Sequence, residues 1–327
     1  MESQLVIATS FGLKIMREIN GEWEITQSIQ HNTHFTAVSS LEDKILAGSK
    51  SGIFRSYDRG KTWQESNRGL DVLHIRALKI NPHNPDLILA GTEPAAIFTS
   101  RDGGESWQSC PEVINYREKY EWNLPYSPEA GCVRGFAIQK NRVYAAVEQG
   151  GLLRSYDFGR SWELLDQREE DIQINSADPW IHHDVHSVRL HTSTYDQIFA
   201  ATGNGLYYST AEGASWSKIH PDYCRDIWID SAQPSHIIVG SADGPDRNGS
   251  IKESITGGAS WHPIMRNLPE TWSNTMVEKF LQINNELFAV LSNGAVISTN
   301  LDNFRWKMFL DTFENVQDIT WMEGKDE

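Results

Sequence analysis

Apolar residues in this chain fall in short runs, separated by clusters of turn formers, and the runs recur in sets of four. Residues 74–80 (His-Ile-Arg-Ala-Leu-Lys-Ile), 87–91 (Leu-Ile-Leu-Ala-Gly) and 96–99 (Ala-Ile-Phe-Thr) read as three strands, A to C. Between the first two, Asn81, Pro82, His83, Asn84, Pro85 and Asp86 supply a hairpin rich in turn formers. After a second tight turn, residues 106–108 read as a fourth strand, D. Further B-type strands are expected at 5–8, 44–48, 142–146, 197–201, 237–240 and 286–290.

The turn between C and D carries the strongest repeat. Ser155-Tyr-Asp157-Phe-Gly159-Arg-Ser161-Trp162 recurs around Asp58, Gly60 and Trp63, and again around Asp102, Gly104 and Trp107. Worn copies end at Trp216 and Trp261. An Asp carboxylate accepts N–H bonds from the residues just after it and closes a tight loop. The glycine two positions on supplies a φ that a Cβ would penalise. The tryptophan is expected to pack between neighbouring sheets, burying roughly 150–250 Å². At about 25 cal/mol per Å² that gives an upper bound of about 4–6 kcal/mol per copy.

Fourth-strand tryptophans stand at 23, 63, 107, 162, 216, 261 and 306, between 40 and 55 residues apart. That spacing matches the blades of a β-propeller, and seven markers predict seven blades, with six as the alternative if a terminal repeat has decayed. The sequence opens on a B-type strand with no A strand before it and closes on an unpaired A-type strand, residues 316–321. The closing strand is expected to complete the first blade and remove the open edge. The expected architecture is one all-β domain over residues 1–327, a closed seven-bladed propeller.

Ser-x-Asp-x-Gly-x-x-Trp is the Asp-box, and the chain resembles the BNR/Asp-box repeat propellers. These include sialidases, xyloglucan hydrolases, sortilin-type receptors and photosystem II assembly factors. They share the box without sharing a function, so the resemblance implies the fold and leaves the activity to be argued from the site. The Phe/Tyr-Arg-Ile-Pro motif that the resemblance would require of a sialidase is absent. Xyloglucan hydrolases of this kind use two tandem propellers, and this chain has repeats for one.

Net charge is -15, which argues against a nucleic-acid or anionic-membrane surface. Cys110, Cys132 and Cys224 have no metal-type spacing, and Cys132 and Cys224, which each open an expected strand, read as small buried residues. The first residues read as a strand instead of a signal peptide, and no run has the length of a membrane span. A cytoplasmic, soluble protein is the expectation.

In a propeller the D–A and B–C connections share one face, opposite the Asp-box turns. Two D–A connections are long: residues 109–131, with Tyr116, Tyr120, Trp122 and Tyr126, and residues 164–183, with Trp180. Aligning the A strands by their first residues puts Thr36, Arg76, Arg134, His186, Asp226, Glu278 and Gln317 in a polar ring at the channel mouth. Arg76 and Arg134 could grip a carboxylate or phosphate. Glu93 and Glu148 lie in B–C connections on the same face. His186, Asp226 and Glu278 are the candidate catalytic groups. Arg76, Arg134, Glu93, Glu148, His183, Asp184, Trp180, Tyr120 and Trp122 are the candidate ligand-binding set. By strand alternation His182, Asp184 and His186 would project to one side, a geometry a metal could use, although no cofactor is required by the sequence.

Three functions compete. The first is a binding or assembly scaffold that presents its mouth face to a protein or a small anionic molecule. The second is a glycoside hydrolase with paired carboxylates, and the third an enzyme that uses His186 and the arginines on a small anionic substrate.

Overall fold

The computed structural model describes residues 3–29, 32–165, 180–191, 196–264 and 266–324. These form seven four-stranded antiparallel sheets. Each inner strand touches the inner strand of the next blade, and the last touches the first, so the sheets stand in a closed ring. The expected seven-bladed propeller is the observed fold.

Blade 4 illustrates the plan. Its inner strand Cys132–Gln139 pairs with Arg142–Glu148, which pairs with Gly151–Ser155, and that strand meets a two-residue outer strand, Glu163–Leu164. Blade 1 is built from both ends of the sequence. Val316–Met322 is its inner strand and lies antiparallel to Gln4–Thr9, with Leu5 opposite Trp321 and Ile7 opposite Ile319. Outer strands of two residues in blades 2, 3, 4 and 6 leave little free edge for pairing with other chains.

Apolar packing lies between the blades. One cluster joins Leu89 and Ile97 of blade 3 to Val133, Phe136, Val147 and Trp162 of blade 4. Equivalent clusters occupy the other six interfaces. Close approach depends on glycines late in the second strands. A Cβ on Gly48 would stand 2.5 Å from Ile75, one on Gly91 2.4 Å from Val133, and one on Gly240 2.5 Å from Val277.

The Asp-box turns form as their chemistry dictates. Asp157 accepts from the amides of Arg160 (2.9 Å) and Ser161 (3.0 Å) and from the Ser161 hydroxyl (2.7 Å). Ser155 Oγ donates to Asp157 and accepts from the Gly159 amide, both at 2.8 Å. Asp58 and Asp102 repeat the arrangement. Gly60, Gly104 and Gly159 have φ of 86°, 92° and 75°, the left-handed region expected of them. Trp107, Trp162, Trp216 and Trp306 are buried, whereas Trp63 is only partly so.

Two local readings differ from expectation. The box tryptophans precede the outer strand instead of opening it, since pairing starts at Gln108 and Glu163. The connection 109–131 holds a helix, Pro111–Lys119, with proline in its first turn beside Glu112 and basic residues in its last turn. Its Val113 packs into the interface of blades 3 and 4. Of the second long connection, residues 166–179 lie outside the described residues.

Candidate functional site at the channel mouth

Every inner strand carries a register irregularity at its mouth end, and it falls at the same place in all seven blades. In blade 4, Val133 faces Val147 and Gly135 faces Ala146, so Arg134 is the unpaired residue of a bulge. Thr36, Arg76, His186, Glu278 and Gln317 hold the equivalent positions. A bulge bends the strand and re-aims its extra side chain. This is how the fold turns one residue per blade toward the mouth.

Blade 6 corrects the alignment. Cys224 faces Ser241 as Val133 faces Val147, so the equivalent of Arg134 is Arg225, not Asp226. Asp226 lies one residue deeper and is almost wholly buried. One of its oxygens accepts from Arg189 Nε at 3.0 Å and the other from the Phe280 amide at 2.9 Å. It braces blades 5, 6 and 7, with both oxygens engaged.

The mouth charges pair with one another. Arg134 of blade 4 reaches Glu278 of blade 7 at 3.1 Å, an ion pair that crosses the opening. Glu278 also lies 3.4 Å from Arg225. Arg134 stands 3.5 Å from Glu148, and Arg76 3.6 Å from Glu93. Burial works to raise the Glu148 carboxyl, yet Arg134, followed by His186 and Arg225, holds it below the usual carboxylate range. The Arg225 Nε donates to the Tyr223 hydroxyl at 2.9 Å, and the Tyr223 ring lies 4.9 Å from that of His186.

Glu148, Asp184 and His186 converge: one potential ligand atom from each lies within 4.8 Å of the others. His182 is not in this group. Its Nδ1 accepts from the Asp184 amide at 3.2 Å, and its ring stacks on His183. The strand begins only at Val185, and residue 186 is bulged, so the alternation expected over residues 182–186 does not hold. Glu148, from the neighbouring blade, takes the third place.

The remaining candidates take varied positions. Trp122 is buried and packs on Gly131 and Gly150, so it supports the connection 109–131 from within. Tyr120 stacks on Tyr116 and packs against the cluster between blades 3 and 4. The main chain of His183 accepts from the Gly151 amide at 2.7 Å. Trp180 is partly buried. The connection folds back over blade 3: Ser127 Oγ donates to Glu93 at 3.2 Å, and the Ala95 amide donates to the Ala130 carbonyl at 2.9 Å. Beside Ser127, Tyr126 is 57% exposed. Partial burial and then the Glu148 charge raise the Tyr126 pKa.

Arg225 and Tyr223 were not singled out by sequence. The signal was present, because Gly240 aligns with Gly91 and fixes the register from the second strand.

Residues 53–66 match the BNR-Asp box repeat. The oligoxyloglucan-reducing end-specific xyloglucanase of Emericella nidulans is 23% identical over 270 residues, 68% of this chain but 32% of that protein. Xyloglucanase Xgh74A of Acetivibrio thermocellus is 26% identical over 55% of this chain and 25% of its own. The chain thus spans a third or less of the length of these curated relatives. Among solved structures, YCF48 from Cyanidioschyzon merolae superposes with a TM-score of 0.65 over 91% of both chains at 14% identity. A YCF48 bound to D1 peptide gives 0.59, over 88% of this chain and 85% of that one, also at 14% identity.

Proposed function

Because this chain is an Asp-box repeat β-propeller, we propose that it is a binding platform whose mouth face receives a segment of another protein. The observation that carries this reading is the Arg134–Glu278 ion pair across the opening. It engages the carboxylate that catalysis would need and narrows the way into the channel. Among the described residues, the guanidiniums of the bulge ring each have a carboxylate beside them: Arg76 has Glu93, Arg134 has Glu148 and Glu278, and Arg225 has Glu278. A small anionic ligand would have to displace one of them.

Around this paired centre the face offers exposed apolar groups. Phe11 is 63% exposed, Tyr126 57% and Leu73 41%, all in B–C or D–A connections. Aromatic and apolar anchors around a polar centre suit a peptide segment. Further support is the similar YCF48 propeller, which has been solved with a peptide bound. The net charge of -15 favours a neutral or basic segment.

The test places a photocrosslinking amino acid at position 126 or 73 on the mouth face and at position 57 on the Asp-box face, in the native cell. A discrete protein adduct from 126 and 73, absent from 57, is expected, and Phe11→Ala should weaken it. Equal labelling from both faces would overturn the reading. Release of reducing sugar from xyloglucan oligosaccharides, lost in Glu148→Gln, would replace it with glycoside hydrolysis.

A further inference from the structure

The group formed by Glu148, Asp184 and His186 has an arrangement that mouth ion pairing does not explain. The His186 Nδ1 lies 2.8 Å from the Cys224 carbonyl oxygen. A carbonyl can only accept, so Nδ1 carries the hydrogen, and the lone pair of a neutral ring sits on Nε2. That Nε2 faces Asp184 Oδ1 at 3.2 Å, and neither atom makes a hydrogen bond. Glu148 Oε2 makes none either, although Arg134 stands 3.5 Å away. Glu148 and His186 are each 3% exposed. His186 Nε2, Asp184 Oδ1 and Glu148 Oε2 thus converge in a largely buried place, an arrangement that a positive species between them, a proton on Nε2 or a metal ion, would stabilise.

The surroundings hold the donors in place. A Cβ on Gly203 would come within 2.2 Å of Asp184 Oδ2, so the carboxylate occupies space that only glycine leaves open. The Gly203 amide donates to the Asp184 carbonyl at 2.9 Å. Glu148 is the last residue of its strand, and His186 is the bulged residue of the next blade's inner strand. An imidazole that donates its other N–H to a main-chain carbonyl is the usual support of a metal-ligating histidine.

We propose that Glu148, Asp184 and His186 bind a divalent transition-metal ion, Zn²⁺ or Mn²⁺, at the channel mouth. Two carboxylate oxygens and one imidazole nitrogen suit these ions better than softer ones. Ligand bonds of about 2.0–2.2 Å put neighbouring ligand atoms about 3.0–3.5 Å apart. The 3.2 Å between His186 and Asp184 falls within that range. Three protein ligands leave room for water or for a donor group of a bound partner.

The test uses the full-length protein, stripped with a chelator and dialysed against ZnCl₂ or MnCl₂. One ion per chain by mass spectrometric elemental analysis is expected, together with a raised melting temperature. Glu148→Gln and Asp184→Asn should each abolish the bound ion. Should those variants not fold, wild-type protein labelled with ¹⁵N-histidine gives an independent answer. Added Zn²⁺ should move the His186 Nε2 resonance to a metal-bound position, with Nδ1 still protonated. No bound ion, an ion retained by both folded variants, or a His186 ring protonated on both nitrogens in the presence of metal would each overturn the proposal.

Discussion

Asp58, Asp102 and Asp157 each spend one carboxylate on a loop of five residues, and the chemistry stays within that loop. Burial tends to raise the carboxyl of Asp58 and Asp102, but bonds from Thr62 and Ser106 respectively outweigh it and bring both down to about 2. Unfolded aspartate titrates near 3.9. A lowered folded value means stability that is fully present above about pH 4 and is lost as pH falls toward 2. Urea midpoints should therefore drop across that interval, and less steeply in an Asp58→Asn, Asp102→Asn double variant. At neutral pH, Asp157→Ala should cost about 1–3 kcal/mol through the lost turn bonds. An unchanged melting temperature would remove the box from the list of stabilising elements. Because each box closes between neighbours in sequence, the residue types alone disclose it. The group formed by Glu148, Asp184 and His186 was not legible in the same way. It joins residues on two blades, and the alternation that suggested His182 fails where the strand has yet to begin.

Strands were legible because their apolar runs are short and bounded by turn formers, and the expected second strands lie within a few residues of those observed. Bulges were not. A bulge adds one residue without changing composition, and in blade 6 the alignment began at Cys224, one residue past the equivalent of Cys132, so it named Asp226 where Arg225 stands. The helix Pro111–Lys119 was read as a loop, although its end signals are present, because Val113 is its only buried residue and no apolar stripe marks it. The element with the largest consequence is Val316–Met322, which places Val316 and Ile319 in the cluster between blades 7 and 1. Deleting residues 316–327 should expose the edge of Gln4–Thr9 and yield aggregated protein by size-exclusion chromatography. A soluble truncation with an unchanged melting temperature would contradict the role given to this strand.

At the scale of the molecule, the ring brings charges from distant blades into one channel. Lys79 of blade 3 is the clearest case. Burial, then the charges of Arg189 in blade 5 and Lys279 in blade 7, lower its amine to about 8, against the opposing pull of Asp318 in blade 1. The folded value lies below the unfolded one near 10.4. The protonated amine is therefore a liability below about pH 8, and that liability fades as pH rises toward 10. Lys79→Met should raise the melting temperature at pH 7 and have less effect at pH 10. Limited acetylation at pH 8, followed by peptide mass spectrometry, should modify Lys79 ahead of exposed lysines. Closure also has a consequence in time. Leu5, Val6, Ile7 and Ala8 are wholly buried in the finished ring, but Gln4 pairs with Met322. Ribosomes add about 5–20 residues per second, so this apolar strand waits roughly 15–60 s for its partner. Joining ends that far apart costs about 5 kcal/mol of chain entropy, which only the completed seam can offset. Until residues 316–322 emerge, Gln4–Thr9 is paired on one side only, with Gly12–Ile19, and its open apolar edge is a natural point of engagement for chaperones.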